Sequence, residues 1–185
     1  MDNGASSYRR FLNGEKDALI EIIKEYKDGL TFFINGITKD LSAAEDITQE
    51  TFIKLYVKKP RFNGKSSFKT WLYRIGRNTA VDYIRHNAKT DTVTLNDSAE
   101  LTDYSANPEN GYFDRQRKAA VHKALCSLKT EYHQVLWLVY FEGMNNDEVS
   151  KVLGKSKNNI SVLLHRAKEA LKSELKKEGL DSEDI

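Results

Sequence analysis

The sequence contains few of the residues that build covalent or metal-bound frameworks. Of its 185 residues, one is cysteine and two are proline. The single Cys126 cannot form a disulfide within the chain, so the sequence does not call for an oxidising compartment. The four histidines are widely spaced and no cysteine pair accompanies them, which argues against a zinc site.

Long apolar runs are also missing. The longest strictly apolar run, residues 135–141, is far too short to cross a bilayer. Arg9 and Arg10 resemble the start of a twin-arginine export signal, but the apolar stretch that such a signal needs does not follow them. We therefore expect a cytoplasmic protein with no membrane insertion.

The motifs that resemble catalytic or nucleotide-binding sequences are incomplete. Gly-Lys-Ser occurs at residues 64–66 and 154–156, but the earlier glycine of a phosphate-binding loop is replaced by Lys59 and Val149. Cys126 has no activating partner nearby in the sequence. We therefore expect no active site, no cofactor and no metal, and a protein that is not an enzyme.

Charged residues are abundant and strongly segregated. The net charge is only +2, yet residues 65–89 carry six Lys or Arg against Asp82 alone. Residues 151–177 carry eight Lys or Arg against two Glu, whereas residues 91–114 carry six acidic residues and no Lys or Arg. Such segregation says more about partners than the total charge does.

The acidic segment divides the chain. Pro108, Gly111 and scattered Ser, Thr and Asn argue against regular structure there, and no strand-like alternation occurs elsewhere. The sequence therefore predicts an all-α protein with two small helical domains joined by an acidic flexible linker. The predicted boundaries are 1–90 for the first domain, 91–114 for the linker, 115–177 for the second domain and 178–185 for an acidic tail.

Within the first domain, the N-terminal part gives a weak pattern. Residues 1–13 show no sustained periodicity, and we expect them to fray. Residues 16–26 are predicted to form a short amphipathic helix, and a second apolar stretch, residues 30–37, follows Gly29. Ser42 and Glu45 have the spacing of a capping box, which predicts the start of the next helix.

That next helix carries a second stripe beside its apolar seam. Asp46, Gln49, Glu50 and Ile53 follow one another at helical steps. Taken alone, the stripe is most simply an ordinary solvated acidic face.

Residues 66–89 predict a long helix with two distinct faces. Ser66 or Ser67 is a good N-cap, and Phe68, Trp71 and Leu72 begin an apolar seam. The second face is basic and polar, and such groups neutralise phosphates and stack on unpaired bases. A solvated helix with its Trp in the core is the alternative. The residues off the seam are Lys69, Tyr73, Arg74, Arg77, Asn78, Val81 and Arg85.

Residues 146–167 fit a helix-turn-helix. Asp147 is the predicted cap of the first helix, Gly154 lies at the turn, and Ser156 is the predicted cap of the second helix. Polar and cationic groups on the open face of the second helix can reach base edges and phosphates. Helix pairs of this kind without DNA affinity also exist. The open-face residues are Lys157, Asn158, Ser161, His165 and Lys168.

Three segments resemble one family, the extracytoplasmic-function sigma factors of bacterial RNA polymerase. Residues 68–85, Phe-Lys-Thr-Trp-Leu-Tyr-Arg-Ile-Gly-Arg-Asn-Thr-Ala-Val-Asp-Tyr-Ile-Arg, are similar to the promoter-melting segment. Residues 45–52 resemble the segment that binds the large subunit of the polymerase, and residues 139–168 resemble the module that reads the upstream promoter element. Lys155 and Leu163 depart from the usual pattern of that module.

The resemblance implies core polymerase, promoter DNA and an anti-sigma factor as partners, and it assigns three groups of residues. For polymerase binding these are Asp46, Gln49, Glu50 and Ile53. For the downstream promoter element they are Lys69, Tyr73, Arg74, Arg77, Asn78 and Arg85, with Asn78 in a pocket for a flipped-out base. For the upstream element they are Lys155, Ser156, Lys157, Asn158, Ser161, His165, Arg166 and Lys168.

Two other functions are compatible with parts of the sequence. A stand-alone regulator would bind duplex DNA through the helix-turn-helix without joining polymerase, but this leaves the acidic stripe unexplained. An adaptor would use the basic faces to bind proteins.

Overall fold

The computed structural model describes residues 3–90 and 112–177, with side chains for 3–88 and 120–177. All regular elements in these ranges are helical, which confirms the all-α prediction. No helix in the described ranges is long and apolar enough to cross a membrane. Most of the predicted linker and the predicted tail lie outside the described residues.

Four helices form the first part of the fold, and α2 packs against the other three. Its core contains the fully buried aromatic rings of Tyr8, Phe33 and Phe68. The helices are α1 (Asn3–Leu12), α2 (Asp17–Thr38), α3 (Leu41–Lys58) and α4 (Phe68–Thr90).

The second part packs α6 and α7 against the long helix α8, and α5 also contacts α8. Its core includes Leu136, Val149 and Ile160, all of which are buried. Its elements are α5 (Tyr112–Ser127), α6 (Thr130–Leu136), a π-helical turn (Trp137–Phe141), α7 (Asn146–Leu153) and α8 (Lys157–Lys177).

The N-terminal segment is helical, so the expectation that residues 1–13 fray is wrong for the described part. Tyr8 and Phe11 of α1 are buried in the core, and the Tyr8 hydroxyl donates to the Pro60 carbonyl oxygen at 2.8 Å. Helix α1 is too short to show a repeated pattern, and its order comes from burial of these aromatic rings against the other helices.

Two predicted boundaries are also corrected. Helix α2 runs through Gly29 without a break. Helix α3 is capped by Asp40, whose carboxylate accepts from the Ala43 N–H, and not by Ser42. In these two places the tertiary packing or the preceding residue outweighs the local signal.

The two parts pack against each other across α2. The Trp137 indole N–H donates to the Gly29 carbonyl oxygen at 3.1 Å, and the ring stacks on Phe32 at 5.3 Å. The Lys39 ammonium donates to the carbonyl oxygens of Cys126 and Leu128, at 2.8 and 2.9 Å, at the C-terminal end of α5. The contacts therefore combine apolar burial with specific hydrogen bonds.

The interface depends on a missing side chain at Gly36. A Cβ atom there would lie 1.8 Å from Nδ1 of His133, far inside van der Waals contact. The His133 ring is 2% exposed and stacks parallel to Trp137, with an interplanar angle of 3°. Because the ring is buried, a side chain at position 36 would have to displace it, and glycine permits this approach.

We predict that Gly36→Ala separates the two parts. Alanine favours the helical state of α2 by about 1 kcal/mol over glycine, so the helix persists while its new methyl group displaces His133. Small-angle X-ray scattering should show a larger radius of gyration, with an unchanged helical circular dichroism spectrum. The double variant Gly36→Ala/His133→Ala should regain the compact form; an unchanged radius in Gly36→Ala would contradict the packing described here.

We also predict a stability loss in acid from His133. Burial, followed by the charges of Lys39 and His122, lowers the pKa of His133 to about 3. An unfolded chain binds this proton near pH 6.5. The neutral His133 ring therefore makes its full contribution to the free energy of unfolding above pH 6.5. This contribution is lost as the pH falls towards 3, at up to about 1.4 kcal/mol per pH unit.

The measurement is urea unfolding at several pH values between 7 and 4. The variant His133→Gln should show a shallower decline of unfolding free energy with falling pH than the unchanged protein. The exposed-site variant His86→Gln is the control and should keep the original slope. Equal slopes for all three proteins would show that His133 does not couple protonation to stability.

Candidate nucleic-acid interface

Helix α4 is fixed from one side by aromatic packing. Ser67 Oγ accepts from the Thr70 N–H at 3.2 Å, so Ser67 caps this helix as predicted. The ring of Phe68 is fully buried and lies 5.5 Å from Tyr8 and 5.8 Å from Tyr26. This packing determines which face of α4 is left for a partner.

Three of the six residues predicted for the downstream promoter element lie on an exposed face. Arg74 and Asn78 are one helical turn apart, and Arg85 follows two turns later; all three are exposed. The structure therefore brings two cations and one amide to the same open side of α4.

The other three residues of this set are buried or half-buried. Lys69 and Arg77 are half-buried, and Tyr73 is fully buried with its ring 5.4 Å from Phe33. Burial, and then the negative charge of Glu142, raise the pKa of Tyr73 well above its usual value. The expectation that Tyr73 lies on the open face is wrong in this arrangement. Its role towards DNA stays a prediction.

One hydrogen-bond donor of the Arg77 guanidinium has no partner within the described part of the chain. Its Nε atom is buried without a hydrogen-bond partner among the described residues, and burial lowers the pKa of the guanidinium. An unpaired buried N–H costs free energy that exposure to water or to an anion would recover. The half-buried side of α4 therefore holds a cation whose hydrogen-bonding capacity is not fully used within the described residues.

The acidic stripe on α3 is open to solvent. Asp46, Gln49 and Glu50 are exposed, and Ile53 is 58% exposed. Glu50 forms an ion pair with Lys54 at 2.8 Å, a surface pair that contributes little to stability. The structure thus presents all four predicted polymerase-binding residues on one accessible helix face.

This face extends further than the sequence reasoning indicated. Tyr56 and Val57 are 50% and 68% exposed and lie one turn beyond Ile53 on α3. Their spacing of three and four residues from Ile53 was the available signal. Together with Ile53 they form an apolar end to the acidic stripe.

The helix-turn-helix has the predicted turn but a different first cap. Gly154 has a φ of 65°, a left-handed conformation that favours glycine. Asn145 caps α7 in a capping box with Glu148, so the prediction that Asp147 is the cap is wrong. Ser156 caps α8 as predicted, because its Oγ accepts from the Asn159 N–H at 3.3 Å.

Most residues predicted for the upstream element lie on the open face of α8. Lys155 is the exception, because it is half-buried and paired with Glu131 at 2.8 Å. Lys157 pairs with Asp147 at 2.8 Å, and hydrogen bonds from Lys151 and Lys157 lower the pKa of Asp147 to about 2. The exposed residues are Ser156, Lys157, Asn158, Ser161, His165, Arg166 and Lys168.

The open face of α8 is pre-arranged by side-chain contacts. Ser161 accepts a hydrogen bond from the Asn146 amide at 3.3 Å, which links α8 to the first helix of the motif. The Lys168 ammonium lies 5.4 Å from the centre of the Tyr140 ring, within cation–π range. Within the described ranges, no group of three or more His, Cys, Asp or Glu side chains is placed to hold a metal ion.

Comparison with protein families identifies both parts. Residues 22–90 match the model of sigma-70 region 2, and residues 118–171 match that of sigma-70 region 4. The first match spans α2 to α4, with the acidic stripe and the basic helix. The second match contains the helix-turn-helix.

Relatives along the whole chain agree. RNA polymerase sigma factor YlaC of Bacillus subtilis is 28% identical over 163 residues, which cover 88% of this chain and 94% of that protein. ECF RNA polymerase sigma factor SigW of the same organism is 27% identical over 173 residues, 88% of this chain and 91% of that one.

A solved structure shows the same fold. The sigma factor RpoE from Bartonella quintana, crystallised with the anti-sigma factor NepR, superposes with a TM-score of 0.65 at 21% identity, over 84% of this chain and 97% of that chain. The matches to both regions favour a sigma factor over a stand-alone regulator. The chain belongs to the sigma-70 family, as an extracytoplasmic-function sigma factor of RNA polymerase.

Proposed function

We propose that this sigma factor uses three separate surfaces to bind polymerase and the two promoter elements. The stripe on α3 binds core polymerase, the basic face of α4 binds and opens the downstream promoter element, and the open face of α8 reads the upstream element. The observation that carries the proposal is that one chain presents an acidic face and two basic helices on separate surfaces. Binding energy drives recruitment and strand opening, with no chemistry of the protein's own.

The domain boundaries follow the same division. We assign residues 1–90 to polymerase and downstream binding, and residues 115–177 to upstream binding. Residues 91–114 are assigned as the acidic linker and 178–185 as an acidic tail. A cytoplasmic location follows from the proposed work with polymerase.

The polymerase surface combines charge with exposed apolar area. Asp46 and Glu50 can pair with arginines of a partner, and Gln49 can add hydrogen bonds. Ile53, Tyr56 and Val57 offer apolar area whose burial would supply the larger share of the binding energy. A solvated acidic face has no need of this apolar end.

The DNA-binding surfaces are polar and cationic. Arg74 and Arg85 can neutralise phosphates on either side of Asn78, whose amide has the donors and acceptors to read a base edge. On α8, Lys168 and Arg166 can neutralise phosphates, while the exposed amide of Asn158 can hydrogen-bond base edges. These assignments rest on exposure, residue chemistry and the family resemblance.

An anti-sigma factor is a further proposed partner. The solved relative RpoE is bound to the anti-sigma factor NepR. We propose that a protein of this class also binds the present chain.

Run-off transcription with purified bacterial core polymerase and genomic DNA fragments tests the proposed function. Addition of the protein should produce discrete new start sites, and the DNA sequences upstream of these sites would identify both promoter elements. Absence of transcripts together with no co-elution with core polymerase would overturn the proposal.

We predict that Ile53→Asp weakens binding to core polymerase by at least about tenfold. Burying a side chain of this size contributes about 1.5–3 kcal/mol, and tenfold in affinity corresponds to about 1.4 kcal/mol. Fluorescence anisotropy with labelled protein measures the dissociation constant. Ile20→Asp is the matched control, since Ile20 is 49% exposed on α2. Equal affinities for both variants would remove Ile53 from the polymerase surface.

We predict that Asn78→Ala impairs promoter opening and spares polymerase binding. The variant loses the amide that would hold a flipped-out base, while the exposed arginines on either side remain. Permanganate footprinting of the holoenzyme on a promoter found by run-off should show reduced reactivity of unpaired thymines. Asn13→Ala, at an exposed position before α2, is the control. A footprint identical to the control would exclude the base pocket.

A further inference from the structure

Asp147 lies between two lysines at the open end of the helix-turn-helix. One carboxylate oxygen pairs with the Lys157 ammonium of α8 at 2.8 Å, and the other pairs with Lys151 of α7, also at 2.8 Å. The side chain of Asp147 is 40% exposed, so both pairs are accessible from solvent. We call these three residues the lysine–aspartate cluster.

The position of Asp147 is fixed by its neighbours. The Asn145 side chain caps α7 and accepts from the Asp147 N–H at 2.9 Å. The Asn146 amide donates to Ser161 Oγ at 3.3 Å, so two consecutive residues of α7 contact the first two turns of α8. Asp147 therefore holds Lys157 at the place where the two helices meet.

Helix stability explains only part of this arrangement. An acidic residue in the first turn of α7 favours the helix dipole, and exposed ion pairs add little stability. Neither effect requires contact with a lysine of the next helix. Hydrogen bonds from Lys151 and Lys157 lower the pKa of Asp147 to about 2, so the carboxylate is charged at neutral pH and both pairs persist.

The cations of the motif fall into two groups. Lys155 pairs with Glu131 at 2.8 Å, so all three lysines around the turn have a carboxylate partner. Further along α8, Arg166 and Lys168 are exposed, and the Lys168 ammonium lies over the Tyr140 ring. Negative charge is thus concentrated beside the lysines at the start of α8.

This distribution affects sequence selectivity. In a helix-turn-helix the N-terminal residues of the second helix contact base edges, whereas phosphate contacts carry no sequence information. An ammonium without a partner binds the phosphates of every sequence, and the counterions that it displaces raise affinity at all sites. A lysine held by a carboxylate gains less from a phosphate, because it must first lose that partner.

We propose that Asp147 is a specificity-determining residue, which holds Lys151 and Lys157 away from phosphates and so suppresses binding to DNA that lacks the upstream element. It acts as a positioning residue, through the two lysines and not by contact with a base. The inference rests on the proposed role of α8 in reading the upstream element. Removal of the carboxylate then strengthens binding to unrelated duplex, whereas loss of a merely structural residue would weaken it.

Binding of the full chain to a labelled duplex of scrambled sequence tests the proposal without a promoter. Fluorescence anisotropy at several potassium chloride concentrations gives the affinity and its salt dependence. We expect Asp147→Asn to bind at least about threefold more tightly than the unchanged protein at low salt. The slope of log affinity against log salt should also steepen by about 0.9, the value for one further phosphate contact.

Two comparisons separate the cluster from net charge. Glu169→Gln removes one negative charge from an exposed position on α8 and should change the affinity less than about 1.5-fold. In a Lys157→Met background, Asp147→Asn should lose at least about half of its gain, because one of its two lysines is gone. Equal gains for Asp147→Asn and Glu169→Gln, or an undiminished gain without Lys157, would overturn the proposal. Weaker binding by Asp147→Asn would also overturn it, since the carboxylate would then only support the fold.

The holoenzyme reports the specificity itself. On a promoter found by run-off, transcription is compared between the intact template and the same template with a scrambled upstream element. We expect the ratio of the two to fall at least about threefold in Asp147→Asn and to stay unchanged in Glu169→Gln. The same ratio in both variants would show that Asp147 does not determine specificity.

The two proposals fail in different ways. If the unchanged protein supports no transcription, the proposed function fails. The duplex affinities and the comparison in the Lys157→Met background would still decide whether Asp147 restrains the two lysines.

Discussion

The arrangement of the two parts depends on close packing of the second part against a face of α2 on which two residues are glycines. Gly36 admits the ring of His133, and Gly29 admits Glu142 and receives the hydrogen bond from Trp137. A side chain at Gly36 would overlap the ring of His133, and one at Gly29 would displace the Glu142 carboxylate. Because α2 is also the central helix of the first part, the same element organises one core and docks the other.

This packing has unequal consequences for the functional faces. It covers the start of α4, where Lys69 and Tyr73 lie, and leaves the α3 stripe and the α8 face accessible. Partners can therefore reach the α3 stripe and the α8 face while the two parts stay packed together. Arg77 Nε is a buried N–H without a partner among the described residues, and separation of the parts would let it be solvated.

Much of the fold could be predicted from local spacing. The cap at Ser67, the left-handed Gly154 and the cap at Ser156 follow from residue type and neighbours alone. The exposure of the α3 stripe also followed from its helical period. The choice of Asp40 over Ser42 as a cap could not be predicted, since both residues are good caps and the helix boundary decides between them.

What the sequence could not show depends on contacts between distant residues. Tyr73 has the spacing of an exposed residue on an isolated α4, but Phe33 of α2 and Glu142 of the second part, both distant in the sequence, cover it. The ion pair between Lys155 and Glu131 likewise joins residues that are distant in the sequence, so local spacing could not predict it. Helix α1 was missed because its buried residues, which include Gly4 and Ser7, are mostly small or polar, although the rings of Tyr8 and Phe11 complete the core.

The distance between the two parts tests the account most directly. Single-molecule energy transfer between dyes at Lys24→Cys and Lys172→Cys, two exposed sites on α2 and α8, reports this distance in a Cys126→Ser background. The account predicts one short distance in the labelled protein and a longer distance once Gly36→Ala is added, because the new methyl group overlaps the ring of His133. The same distance with and without Gly36→Ala would contradict the claim that close packing at this glycine holds the two parts together.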